Sequence, residues 1–266
     1  MFTILYLGDI VGKLGRKAVQ TALPDLKMRY KPDLVIGNVE NLTHGVGISP
    51  KAMREMLDAG VNAFTSGNHI WGNPEGTPLL DDAEWKLVRP ANVPASKKGR
   101  GSIVLNMNGV RVLLINLMGS LFTTTADDVS NAFPALDDIL KTNEGMYDVA
   151  FVDMHAELTA EKEALGHYAD GRVAAVIGSH THVPTADAKI LPGGTAYCTD
   201  AGRVGAYTSV LGFEPSSVIN RFLTGERTPY TLPDRGKAEL NGVVITADPA
   251  TGKAVTIVPI RNLVEC

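Results

Sequence analysis

The chain has 266 residues and 28.3 kDa of mass, with 44% hydrophobic and 20% charged residues, enough apolar material for one large soluble domain or two small ones. A formal net charge of −4 and a pI near 5.9 argue against a surface built to coat duplex nucleic acid, while a nucleotide-sized ligand needs only a local positive site. Two cysteines, Cys198 and Cys266, rule out a disulfide framework and point to a reducing cytoplasm, and apolar runs such as VLLINLM at 112–118 are too short to span a bilayer, so no membrane partner is expected.

FTILYLG at 2–8 predicts a buried strand, followed by a helix whose Val19, Leu23 and Leu26 recur at 3- and 4-residue spacing before Pro32. DLVIGN at 33–38 predicts a second strand. Ser49-Pro50 is an N-cap followed by Pro at the first helical position, and the helix it opens ends at Gly60. NAFTSGN at 62–68 is a third strand, giving βαβαβ and favouring a parallel sheet. The middle changes character: Asn108-Gly109 separates two alternating apolar runs within 102–119, a hairpin signal. Strand–helix–strand rhythm resumes over 148–155, 159–169 and 173–180, and the remainder returns to hairpins around 188–200 and 239–260. With no repeat or linker, residues 1–266 read as one α/β domain, either a mixed sheet or two packed sheets flanked by helices.

The ends of these strands carry polar residues. Asp9 ends the first, Glu40 and Asn41 follow the second, Asn68 and His69 the third, His155 another, and His180 and His182 the last. In open α/β sheets ligands bind beyond the carboxyl ends of the strands. Each residue alone has a bland explanation as a cap, turn former or satisfied core group. Together, such groups are costly to bury unless they share a partner. Imidazole, carboxylate and carboxamide donors without thiolate suit Mn, Fe or Zn. Their number exceeds what one ion needs, whereas two ions bridged by a carboxylate would use them all and suit in-line displacement at phosphorus.

The series GD (8–9), a carboxylate after strand two, GNH (67–69), His155 and HTH (180–182) resembles calcineurin-like metallophosphoesterases. The longer strings ILYLGDIVGKLGR, GNVEN, TSGNHIW, RPAN, GSHTHVPTAD and SVLGFEPSSVINRFLTG are similar to the YmdB-type branch of bacterial phosphodiesterases. The resemblance implies a four-layer α/β-β/α sandwich with two mixed sheets flanked by helices and a dinuclear Fe or Mn centre, with Zn or Mg as alternatives. It also implies hydrolysis of a small phosphodiester, 2′,3′-cyclic nucleotides above all, by metal-hydroxide attack. Carried over, Asp9, Glu40, Asn41 and His182 would hold one ion, and Glu40 would bridge to a second held by Asn68, His155 and His180. His69 would be the general acid. A homo-oligomer is a reasonable expectation of the same resemblance.

The chain departs from the wider superfamily at Val11, where a histidine ligand is usual, with Asn41 as its replacement, and at Ile70, where GNHE loses its glutamate. Gly8, Gly12 and Gly15 do not form GxGxxG, since Ile10 takes the middle position, which disfavours a dinucleotide binder. Lys13 and Arg16 could reach a substrate phosphate, with a solvated helix start as the rival explanation. His44 and Arg16 are the substrate-binding candidates, and Arg203 has no evident role. Two rival functions are a broader phosphomonoesterase or nuclease on the same metals, and a regulatory metal-binding scaffold. The extra imidazole of His69 argues against the scaffold.

Overall fold

The computed structural model describes residues 1–121, 129–226 and 229–266. The first strand, β1 (Phe2–Ile10), shows how the layers arise. Its alternate residues Phe2, Ile4 and Tyr6 enter one apolar cluster, while Leu5 and Leu7 enter another on the opposite face. A strand buried on both faces must lie between two layers, since successive side chains point to opposite sides.

Around β1, the sheet runs β12-β11-β10-β1-β2-β3. It contains β2 (Leu34–Asn38), β3 (Ala63–Thr65), β10 (Arg203–Ala206), β11 (Lys237–Asp248) and β12 (Lys253–Glu265). The expected parallel β1–β2–β3 core is present. The second sheet runs β4-β5-β6-β7-β9-β8. It is built from β4 (Ser102–Met107), β5 (Val110–Met118), β6 (Val149–His155), β7 (Ala175–Ser179), β8 (Lys189–Ile190) and β9 (Ala196–Cys198). Asn108-Gly109 makes the expected β4–β5 hairpin, with φ of 52° and 84°. Both sheets are mixed.

Residues of β1 and β11 meet Val112 and Leu114 of β5 and Phe151 of β6 in the central cluster. The outer face of the first sheet packs on α1 (Gly12–Tyr30) and α2 (Pro50–Ala59), and that of the second on α3 (Ala132–Thr142) and α4 (Thr159–Tyr168). The order helix, sheet, sheet, helix is the four-layer sandwich. A fifth helix, α5 (Pro215–Thr224), precedes β11. Among the described residues, no helix is long and apolar enough to cross a membrane.

Local signals behave as their chemistry requires. Ser49 caps α2 by accepting from Ala52 N–H, and Gly60 closes it at φ 98°. Helix α1 leaves at Lys31 (φ 45°), the residue before Pro32, where a helical backbone would clash with the proline ring. Helices α3 and α5 and strand β10 lie outside the elements expected from the sequence; β10 has only four residues, too few for a period to show.

Candidate metal centre

The carboxyl ends of β1, β2 and β3 in one sheet meet those of β6 and β7 in the other. Asp9 is the penultimate residue of β1. Glu40 and Asn41 follow β2 in a tight turn, Asn68 and His69 follow β3, His155 ends β6, and His180 follows β7 at once. Gly8 permits the approach: a side chain there would run into the Gly202 carbonyl, which accepts from Asp9 N–H at 3.1 Å. Gly178 does the same beside the Thr199 carbonyl, and a side chain on Gly67 would strike His155 and Glu40.

Two groups of potential ligand atoms result, each within 4.8 Å of one another: Glu40, His155 and His180, and Asp9, Glu40 and His182. Glu40 belongs to both. His155 Nε2 lies 3.1 Å from Glu40 Oε2, 3.0 Å from Asn68 Oδ1 and 3.1 Å from His180 Nδ1. His182 Nε2 lies 3.2 Å from Asn41 Oδ1, and the Asn41 amide N–H donates to Gly45 O at 2.9 Å, which keeps its oxygen turned to the histidine. All seven ligand candidates named from the sequence therefore converge. His69 stays outside both groups: its backbone N–H donates to Glu40 Oε2 at 3.0 Å and its side chain is half-buried.

Each imidazole is held with one nitrogen engaged outside the centre. His155 Nδ1 donates to Ser179 Oγ at 2.8 Å, because the Ser179 hydroxyl itself donates to Asp153 at 2.6 Å. His180 Nε2 faces Glu157 at 3.1 Å, and His182 Nδ1 donates to Leu211 O at 2.9 Å. Such outer bonds fix the tautomer and leave the inner nitrogen as an electron-pair donor. His180 and His182 adopt positive φ of 93° and 64°, and this strained backbone sends them to different groups although they are two residues apart. Between them, Thr181 points away and donates to Asp200 at 2.7 Å.

This crowd of acceptors fits a cation. Asp9 Oδ1 is fully buried and lacks a hydrogen-bond partner among the described residues, while its other oxygen accepts from His180 N–H at 3.1 Å. Burial pushes the Asp9 carboxyl well up. Burial also pulls against charging His155, but Glu40, Asp9 and Asp153 outweigh it and lift that imidazole to about 9. Burial would raise Glu40, yet the charged His155 beside it holds its carboxyl far below the usual range. Burial, with charged His155 adding to it, drives His180 down to about 3. His182 is lowered by burial as well. Without a metal, the centre takes up a proton on His155; with one, the converging oxygen and nitrogen donors suit a borderline divalent ion.

The supporting residues went unnoticed in the sequence. Asp153 interrupts the apolar run of β6 and accepts from Tyr6 Oη (2.7 Å), Asn38 Nδ2 (3.0 Å), Thr65 Oγ1 (2.5 Å) and Ser179 Oγ (2.6 Å). A carboxylate inside a strand buried throughout was the available signal, since it must have partners. Lys162 of α4 and Asp200 form a fully buried ion pair at 2.8 Å. Arg203 also gains a place. It pairs with buried Glu239 at 2.8 Å and donates to His182 O at 3.2 Å and to Ala206 O and Ser209 Oγ at 3.0 Å. It thus ties His182 to the turn whose Leu211 carbonyl orients the same ring. Val11 is buried, with its side chain beside Gly212, away from any ligand role.

His44 and Arg16 line a cavity of about 600 Å³ with Lys13 and Lys51. The turn bearing Glu40 and Asn41 continues directly into this cavity wall at Thr43 and His44. His167 is exposed on α4.

The profile of a family described as YmdB-like protein matches residues 5–260. A Bacillus subtilis (strain 168) protein named 2′,3′-cyclic-nucleotide 2′-phosphodiesterase is 43% identical over 254 residues, 96% of this chain and 94% of that protein. Two crystal structures superpose closely. A hypothetical protein from Thermus thermophilus has TM-score 0.91 and 39% identity over 98% of this chain and 99% of the other. A phosphatase from Mycoplasma pneumoniae has TM-score 0.92 and 37% identity over 99% and 94%.

Proposed function

The chain belongs to the YmdB-like protein family, and on that premise we propose that it is a metal-dependent phosphodiesterase acting on 2′,3′-cyclic nucleotides to give nucleoside monophosphates. The observation that carries this reading is Glu40, a buried carboxylate belonging to both groups of converging ligand atoms. Asp9, Glu40, Asn41 and His182 would hold one divalent ion, and Glu40, Asn68, His155 and His180 the other, with Fe or Mn favoured by the donor set. Bound there, such ions supply activated water at neutral pH and neutralise phosphoryl charge.

The chain's own residues do the rest. Ser179, Glu157 and Leu211 keep the three inner imidazole nitrogens free to bind. The half-buried His69, fixed through its backbone to Glu40, supplies the proton that the departing ribose oxygen needs, help worth roughly 10²–10⁴-fold. The two cysteines are free, Cys198 being buried, which supports a cytoplasmic setting. Metal quantitation combined with hydrolysis of 2′,3′-cyclic AMP, 3′,5′-cyclic AMP and an aryl phosphate under Mn and Fe(II) tests the reading. The expected result is two ions per chain and preference for the 2′,3′-cyclic ester. A protein that binds no metal and cleaves none of the three would refute it.

A further inference from the structure

The cavity beside the centre is more than its rim. It has a volume of about 600 Å³, within the roughly 300–1,000 Å³ of small-molecule sites, and its wall carries Lys13, Arg16 and Lys51 against one carboxylate, Asp234. Arg16 is spoken for: it donates to Leu42 O and Glu55, both at 2.6 Å. Lys13 and Lys51 are the open charges. Lys13 reaches Asp234 only at 3.8 Å with both side chains more than half exposed, and Lys51 has no carboxylate partner among the described residues. A second cavity of about 450 Å³ shares Lys13, Arg16 and Lys51 and adds Lys17, opposed by Glu55. Together the two hold four cations and two anions, a net positive track on a chain of net charge −4.

The first cavity also brings aromatic side chains to these cations. Tyr230 presents a half-buried ring to the first cavity, backed by Phe213 at 5.1 Å and the Arg221 guanidinium at 5.0 Å. His44 stands there on a left-handed backbone (φ 53°) and is exposed. A rigid aromatic face beside cations is how proteins hold single-stranded nucleotides, by stacking the base and neutralising the phosphate.

The cavity also lies one step from the chemistry. Thr43 in its wall is two residues beyond Asn41, so their α-carbons are at most about 7.6 Å apart at 3.8 Å per residue. Gly12, next to Lys13, donates its N–H to Asn41 O at 2.9 Å, joining the cavity wall to the candidate ligand.

The geometry points to a subsite for a second nucleotide: the chain takes a short single-stranded oligoribonucleotide ending in a 2′,3′-cyclic phosphate, with the upstream phosphate on Lys13 and Lys51 and its base against Tyr230. This rests on the phosphodiesterase reading above and deepens it.

The test compares the metal-loaded protein on adenosine 2′,3′-cyclic phosphate and on the dinucleotide ApA ending in the same cyclic phosphate. The dinucleotide should be favoured about tenfold or more in kcat/KM, mostly through KM, and its KM should depend more steeply on salt, by about 0.7 in log–log slope for one added phosphate contact. Lys13→Ala/Lys51→Ala should remove the added salt slope and most of the dinucleotide preference, and Tyr230→Ala should reduce the preference while leaving the salt slope in place. Equal kcat/KM for the two substrates, or a preference that survives the double substitution, overturns the subsite. Free adenosine 5′-phosphate raising mononucleotide turnover, with no dinucleotide preference, would make the cavity an effector site and also overturn it. Failure to cleave either substrate would fall on the phosphodiesterase reading. Binding of linear ApA 3′-phosphate against adenosine 3′-phosphate, in wild type and double variant, then decides the subsite independently.

Discussion

Lys162→Met removes one partner of the buried ion pair behind the HTH loop. Lys162 and Asp200 are both fully buried and 2.8 Å apart, so methionine, of similar length, fills the stem's space but leaves the carboxylate without its cation. Breaking such a pair costs roughly 3–5 kcal/mol, chiefly for the stranded charge. Asp200 keeps three neutral donors, Thr181 N–H at 3.1 Å, Thr181 Oγ1 at 2.7 Å and Gly202 N–H at 2.8 Å, which places the cost near the lower end, about 3 kcal/mol. For a domain of this size that is a fall in Tm of about 6–12 °C, read by calorimetry or by the urea midpoint at unchanged slope. Asp200→Asn should cost a similar amount, and Lys162→Met/Asp200→Asn should recover most of the loss, for a coupling of at least about 2 kcal/mol. Additive losses, with coupling below about 0.5 kcal/mol, would show that the pair does not act as a unit and would refute the reasoning.

Three other outcomes are expected. His69→Ala should lower turnover by about 10²–10⁴ with metal content intact; loss of metal in this variant would make His69 a ligand rather than the acid. Arg203→Met removes the donors to His182 O and Ala206 O, and dialysis against chelator followed by metal quantitation should show one of two ions lost more readily; equal retention of both would contradict the positioning role. Because the metal-free fold lifts His155 from the ordinary 6.5 to about 9, that group's contribution is complete below pH 6.5 and is lost as pH rises through 9. Tm of the metal-free protein should therefore decline over this window. Loading with Mn at pH 7.5 should release a proton from His155, measurable with an indicator dye, and should abolish that decline.

The donor set was legible because it is local: a carboxylate, carboxamide or imidazole at the end of an apolar run is visible without a fold, and seven such residues at five strand ends have few uses other than a shared cation. A run as apolar as β1 shows a strand buried on both faces, which fits one covered sheet or two packed sheets alike; that Phe2, Ile4 and Tyr6 face the second sheet while Leu5 and Leu7 face the helices is seen only in the fold. What no local pattern could show is pairing across the sandwich. Asp153 meets Tyr6, Asn38 and Thr65 from the other sheet, at separations of 147, 115 and 88 residues, and Lys162 finds Asp200 38 residues away. His180 and His182 share a face in any extended strand, and only the left-handed backbone after Ser179 turns them toward different partners. The sequence thus determined which chemistry the chain brings to its sheet edge. The tertiary structure decided which atoms meet, because buried charge must be satisfied by whatever the packing places opposite it.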